Sequence, residues 1–263
     1  MFPEITLFQK IIPTYGIMAV VGFALGFLYI CRTSAAYKLD REDSIYIYVL
    51  GLVGAILGAK ALYLVTVLPS FLHDLPLISS QFDVFKGRYL TGGMVLYGGL
   101  FGGILLSYHT ARQYHDRLSD FFPVLLPATA IVSGCGRIGC FLTGCCYGKE
   151  TSSWIGVVFQ RSRIAPTGVR LIPVQLFEAA FDFVLCCVII EVCRREKYRA
   201  KALKIYLLLY AAFRFGIEFF RGDAIRGVMF GLSTSQWISL AVIIGIGILS
   251  AEEYRKSKKL KSA

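Results

Sequence analysis

Long apolar runs separated by short, mostly basic segments set the pattern of this chain. Seven runs stand out, at about 12–31, 45–68, 89–108, 121–142, 172–192, 203–220 and 234–250. Each is close to the ~20 residues that a helix needs to cross ~30 Å of hydrocarbon. Neither strict alternation nor a narrow amphipathic stripe accounts for runs this long and this poor in charge. The pattern predicts an all-α, polytopic membrane protein of about seven transmembrane helices, organised as a single integral membrane domain over residues 1–263.

Composition agrees. Hydrophobic residues make up 56% of the 263 positions and charged residues only 17%, against about 25% in soluble domains. The formal charge of +11 resides in clusters between the runs, not on a continuous basic face. With no base-stacking motif beside it, nucleic acid is not an expected partner. The segments after the first, third, fifth and seventh runs hold sixteen Lys and Arg, and those on the other side hold nine. The positive-inside rule then predicts an N-terminus outside and a cytoplasmic C-terminus. The first run lacks a basic n-region and an A-x-A-like site, so a cleavable signal is not expected.

Glycines qualify the picture. Gly22 and Gly26, and Gly54 and Gly58, share a helical face on which a neighbouring backbone can approach closely. The run YLTGGMVLYGGLFGG holds six glycines within twelve residues and predicts a broken or re-entrant element around 87–103. Such backbone is tolerated at membrane depth only where it is buried in protein or lines a cavity.

Removing the loop charges leaves three basic residues in or beside the runs: Lys60, Arg137 and Arg214. A charge at the bilayer centre costs at least ~2.5–3.5 kcal/mol, so each is expected to find a partner or a wet cavity. On the sixth run Arg214, Glu218 and Arg221 recur at i, i+4 and i+7, and on the fifth Gln175, Glu178 and Asp182 recur at i, i+3 and i+7. Both sets predict one polar stripe on an apolar helix, facing the bundle interior. Interhelical ion pairing that only holds the bundle is one reading. The other is an anion site, since Arg grips two phosphate oxygens at once and glycine turns add backbone N–H donors. A phospholipid headgroup is the anion available at that depth.

The ordered set GGMVLYGGLFGG, GRIGCFLTGCCYG, IPVQLFE and FRFGIEFFRGD, with TYGIMAVVGFALG and GAKALYLV before it, resembles bacterial prolipoprotein diacylglyceryl transferases over nearly the whole chain. The resemblance implies transfer of a diacylglyceryl group from phosphatidylglycerol to a lipobox cysteine of a secreted lipoprotein precursor, at the bacterial plasma (inner) membrane and without a cofactor. It implies catalytic roles for Arg137, Arg214 and Glu218, with Tyr97 standing where the family has His. It implies substrate contacts at Tyr15, Lys60 (commonly Arg in the family), Gly98, Gly99, Gly139, Gln175, Glu178 and Arg221. Cys140, Thr143 and Cys145 occupy positions where the family usually has Asn, Asn and Glu.

Four of the eight cysteines fall within twelve residues, at Cys135, Cys140, Cys145 and Cys146. Three readings stay open: small residues in a tight turn, a disulfide from Cys140 to Cys145 or Cys146, and a reactive thiol. No histidine is near and the spacing is not a familiar zinc pattern, so no metal is expected. Alternatives to the family reaction are a paralogue that passes lipid to another acceptor and a non-enzymatic lipid-binding or transport protein.

Overall fold

In the computed structural model each predicted run falls on a helix: α1 Thr14–Thr33, α2 Arg41–Thr66, α3 Leu96–Gln113, α4 Phe122–Thr143, α5 Val174–Arg194, α6 Ala202–Ile217 and α7 Thr234–Ser262. The structure describes all residues except 1, 8–9, 77–80, 163, 223–226 and 263; Arg163 and Arg226, two of the loop arginines counted above, lie outside the described residues. Among the described residues four segments are long and apolar enough to cross a membrane, Thr14–Tyr37, Arg41–Thr66, Leu118–Thr143 and Thr234–Lys256. The other three runs fall short for legible reasons. α3 is diluted by four glycines, α5 carries Glu178, Asp182 and Glu191, and α6 spans 16 residues.

Contacts divide the chain into two compact units, 1–29 with 122–263, and 30–121. In the second unit α2 starts at Asp40, whose side chain accepts from the Glu42 and Asp43 N–H groups at 2.8 and 3.0 Å, an N-cap that satisfies two otherwise orphaned donors. α2 then packs lengthwise on α3. A Cβ on Gly54, Gly58, Gly98 or Gly102 would strike the facing backbone carbonyl, so the two helices meet at a distance that only glycine permits. This corrects the expectation for 87–103. The chain does break, but the break is confined to the non-helical stretch Gly92–Val95 between a π-helical turn, Lys86–Thr91, and α3. Gly98, Gly99, Gly102 and Gly103 lie in regular helix, because α2 presents glycines to receive them.

The first unit opens with a hairpin of β1 Glu4–Leu7 and β2 Lys10–Pro13, in register Glu4↔Pro13. α1 packs on α4: a Cβ on Gly22 would sit 2.8 Å from the Cys135 Cβ, and one on Gly139 would sit 3.1 Å from the Tyr15 ring. α4 packs in turn on α5, where Gly134 lies under the Phe183 ring. α5 meets α6 through the stacked rings of Phe181 and Phe213, 3.9 Å apart.

Outside the helices, the segment 147–149 is clamped between two others. The Gly148 N–H donates to the Ile172 carbonyl at 3.1 Å, and the Ile172 N–H donates back to Lys149 at 3.0 Å. On the opposite edge the Lys149 N–H donates to Phe220 at 2.8 Å and the Gly222 N–H to Tyr147 at 3.0 Å. This small β-like layer ties the end of α4, the start of α5 and the end of α6 together. The lobe beside it contains β3 Val157–Val158 paired with β4 Arg170–Leu171 and buries Phe159, Ala165 and Leu171 against Phe141, Tyr147 and Val169. α7 follows a hairpin of β5 Val228–Met229 and β6 Leu232–Ser233, whose turn residues Phe230 and Gly231 both have positive φ, as a type I′ turn requires.

Candidate active site

Glu178 lies one turn into α5, 3% exposed, and three arginines converge on it, from α4, from α6 and from the extended segment after the 3₁₀ turn. Arg214 of α6 donates from Nη1 to Glu178 Oε1 at 3.2 Å, and Arg221 donates from Nη1 to the same oxygen at 3.3 Å. Arg137 of α4 approaches the other oxygen, Oε2, at 3.1 Å. Arg214 is held a second time by Glu218 Oε2 at 2.6 Å and a third by Ser235 Oγ at 3.1 Å. Three guanidinium groups thus meet two carboxylates in a site shielded from water, where ionic contacts are far stronger than at a surface.

The arginines are not equally occupied. The Arg137–Glu178 contact is an ion pair but not an aligned hydrogen bond, since Glu178 Oε2 accepts none. Among the described residues Arg137 makes no other polar contact of hydrogen-bond quality. Its side chain keeps 18% exposure, against 11% for Arg214 and 3% for Arg221. Arg137, Glu178, Asp182, Tyr210, Phe213 and Arg214 line a small cavity, and the Asp182 carboxylate accepts from Ser133 Oγ at 2.6 Å.

Local structure explains this convergence. The stripe expected on α5 is present, with Gln175, Glu178 and Asp182 all buried. The stripe expected on the sixth run is only half realised. α6 ends at Ile217 and passes through a 3₁₀ turn, Glu218–Phe220, into extended backbone at Arg221. Arg221 therefore reaches Glu178 because the 147–149 clamp carries it there, not through helical periodicity. Ser235 and Gln236, which sequence reasoning missed, had a readable signal in Ser-x-x-Gln ahead of the last apolar run. Ser233 and Gln236 form a reciprocal capping box, with the Ser233 N–H donating to Gln236 Oε1 at 2.9 Å and the Gln236 N–H donating to Ser233 Oγ at 3.3 Å. The Gln236 amide also donates to the Phe215 carbonyl at 3.3 Å, which fixes α7 against the residue following Arg214.

The cysteine motif borders this cluster. α4 ends in a Schellman turn: the Gly144 N–H donates to Phe141, the Cys145 N–H donates to Cys140 at 3.1 Å, and Gly144 takes φ +78°. Cys146 follows at φ 56°, a left-handed conformation unusual for a side-chain-bearing residue. The double reversal brings the sulfurs of Cys140, Cys145 and Cys146 within 4.8 Å of one another. The Cys146 thiol is held below its ordinary pKa by hydrogen bonds from Cys140 and Cys145 and by the Arg221 guanidinium. Gln175, fully buried, donates to the Cys145 carbonyl at 2.7 Å. Tyr15, near the start of α1, packs on Gly139 and lies within electrostatic reach of Arg137 and the three thiols.

The remaining candidates belong to the second unit. Lys60 donates to the Gly92 carbonyl at 2.5 Å and to Gly93 at 3.3 Å, so its charge satisfies the carbonyls exposed at the break. Tyr97 is the second residue of α3 and 47% exposed. Gly98 and Gly99 are buried against α2.

Known proteins are similar to this chain over most of its length. The prolipoprotein diacylglyceryl transferase family model matches residues 4–251. A phosphatidylglycerol–prolipoprotein diacylglyceryl transferase of Clostridium tetani is 33% identical over 251 residues, covering 95% of this chain and 97% of its own. Clostridium perfringens has a phosphatidylglycerol–prolipoprotein diacylglyceryl transferase 2 that is 36% identical over 234 residues, 87% of this chain and 88% of that one. A Marinomonas enzyme of the same name is 33% identical over 249 residues, 90% and 87% of the two chains. The chain belongs to the prolipoprotein diacylglyceryl transferase family.

Proposed function

We infer that this protein transfers the diacylglyceryl group of phosphatidylglycerol to the thiol of a prolipoprotein cysteine. The family match and the names of its relatives support the reaction. The observation that supports the chemistry here is the convergence of Arg137, Arg214 and Arg221 on Glu178, with Arg137 carrying unspent donors. In the reaction a thioether C–S bond forms, a glycerol C–O bond breaks and glycerol phosphate departs with the bonding electrons. Negative charge grows on the leaving phosphate, and preorganised guanidinium groups lower that barrier most where water is excluded.

The roles follow from the partners. Arg137 takes the phosphate, and Arg214, braced by Glu218 and Ser235, supplies the second contact. Glu178 holds the three arginines in place before lipid arrives. Gln175, Tyr15 and Gly139 line the approach beside Arg137, and Arg221 completes the pairing on Glu178. On the acceptor side Tyr97 is the candidate to take the thiol proton, with Lys60 holding the break that precedes it and Gly98 and Gly99 on the first turn of the helix beside it. The protein sits in the bacterial plasma membrane with seven spans, N-terminus outside and C-terminus cytoplasmic, as the distribution of Lys and Arg supports. Its precursor proteins are secreted lipoproteins.

The test is direct. Purified protein in detergent, given labelled phosphatidylglycerol and a lipobox peptide, is expected to yield diacylglyceryl-peptide and glycerol phosphate. Lipid binding without thioether formation on any lipobox peptide overturns the reading. Transfer to a different thiol instead points to the paralogue that Tyr97, Cys140 and Cys145 favour.

A further inference from the structure

We propose that Cys140, Cys145 and Cys146 form a three-coordinate site for a thiophilic monovalent cation of the Cu(I) class. The three sulfurs lie within 4.8 Å of one another, and a metal–sulfur bond of ~2.3 Å places three ligands roughly 4 Å apart around a central ion. Contraction by less than an ångström therefore completes the triangle. Cys140 is fixed on the last turn of α4, while Cys145 and Cys146 lie beyond it on the turn and are only partly buried.

The turn itself points to a purpose for all three thiols. The backbone reverses twice within three residues, with Gly144 and Cys146 both at positive φ. Cys146 holds that unfavourable conformation with its sulfur within 4.8 Å of those of Cys140 and Cys145. A disulfide would use two sulfurs and strand the third, and all three cysteines are free. Arg221 contributes a neighbouring positive charge against Cys146, which offsets the surplus negative charge of three thiolates around a single positive ion.

Ligand number selects the metal. A closed structural zinc site takes four protein ligands, and among the described residues no fourth His, Cys, Asp or Glu joins this group; Zn(II) here would need water as its fourth ligand. Soft thiolate sets select Cu(I), for which three sulfurs suffice. The spacing C-x4-C-C alone predicted no metal site. The site appears only once the Schellman turn folds the last two cysteines back on the first.

The full chain, purified in detergent under reducing, anaerobic conditions and freed of metal, is titrated with Cu(I) against a chromophoric Cu(I) chelator. We expect one Cu(I) withdrawn per chain and weakening by at least about a hundredfold in Cys145→Ser and in Cys146→Ser. In wild type, bound Cu(I) is expected to protect Cys145 and Cys146 from alkylation, peptide by peptide, relative to the metal-free protein. This readout stands even if a serine variant folds poorly. Failure to compete with the chelator overturns the proposal, as does retained affinity in well-folded variants, preferential loading with Zn(II), or a disulfide among the three in the purified protein.

Discussion

Arg137 faces Glu178 across 3.1 Å as a charge contact without an aligned hydrogen bond. Arg214 and Arg221 share the other carboxylate oxygen through hydrogen bonds. Removing Arg137 therefore leaves Glu178 compensated. Arg137→Ala is expected to lower transfer by about 10²–10³-fold, the usual cost of losing one preorganised charge stabiliser. Folding stability should fall by no more than about 1 kcal/mol. Paired turnover and thermal-melting measurements check this, and wild-type activity in the variant removes the phosphate role assigned to Arg137.

Glu178→Ala is the converse case. It strips the shared partner from three guanidinium groups, two of them nearly inaccessible to solvent. Breaking a buried pair by removing one partner costs ~3–5 kcal/mol, because the remaining charge stays buried. The variant is expected to melt well below wild type, and Glu178→Gln, which keeps acceptor capacity, to fall between the two. A melting point equal to wild type would show that Glu178 is not the hub.

Gly98 separates packing from substrate contact. A Cβ at Gly98 strikes the Gly58 carbonyl and crowds Leu62. Gly98→Ala is expected to cost ~1–3 kcal/mol through overpacking, and Gly58→Ala to cost a similar amount from the other side. If Gly98→Ala abolishes transfer at unchanged stability while Gly58→Ala does neither, the residue acts on substrate and the packing account fails.

These contrasts show what was readable in the chain. Gln175, Glu178 and Asp182 could be placed on one buried face because α5 is an unbroken helix and its period carries them. Arg221 could not, because the 3₁₀ turn at Glu218–Phe220 ends the period and a long-range clamp at 147–149 does the positioning. The glycine-rich run around 87–103 read as broken because its own sequence disfavours a helix, yet only 92–95 leaves the helical path. Tertiary contact with Gly54 and Gly58 overrides that preference. The thiol cluster depends on two positive φ angles, one at a cysteine, which no propensity forecasts.

Asp74 offers a pH test away from the membrane helices. Its carboxylate accepts from Arg88 Nη1 at 2.5 Å and from the Tyr89 hydroxyl at 2.8 Å. Hydrogen bonds from His73, Tyr89 and Arg88 hold its pKa down at about 2, below the ~3.9 of an unfolded chain. A depressed carboxylate contributes stability that is present above the unfolded value and lost as pH falls through about 2. The melting difference between wild type and Asp74→Asn is expected to be constant from about pH 5 to pH 8 and to shrink only below about pH 4. A difference that titrates near neutrality would contradict the assignment.

Tyr97 tests the acceptor side. It lies near the start of α3 and is 47% exposed, so its hydroxyl is accessible and its removal costs little packing. If the phenol takes the proton of the incoming thiol, Tyr97→Phe is expected to reduce transfer by about 10²–10⁴-fold, the range for one proton-transfer group. Phosphatidylglycerol binding and thermal stability should be unchanged. Tyr97→His is expected to restore turnover, because an imidazole with a pKa near ~6.5 is a competent base at neutral pH. Supplying the peptide at higher pH, where its thiol is already ionised, should rescue Tyr97→Phe selectively. A Phe variant with full activity at pH 7 moves the thiol-activating role to another residue and leaves the phosphate-binding arginines untouched.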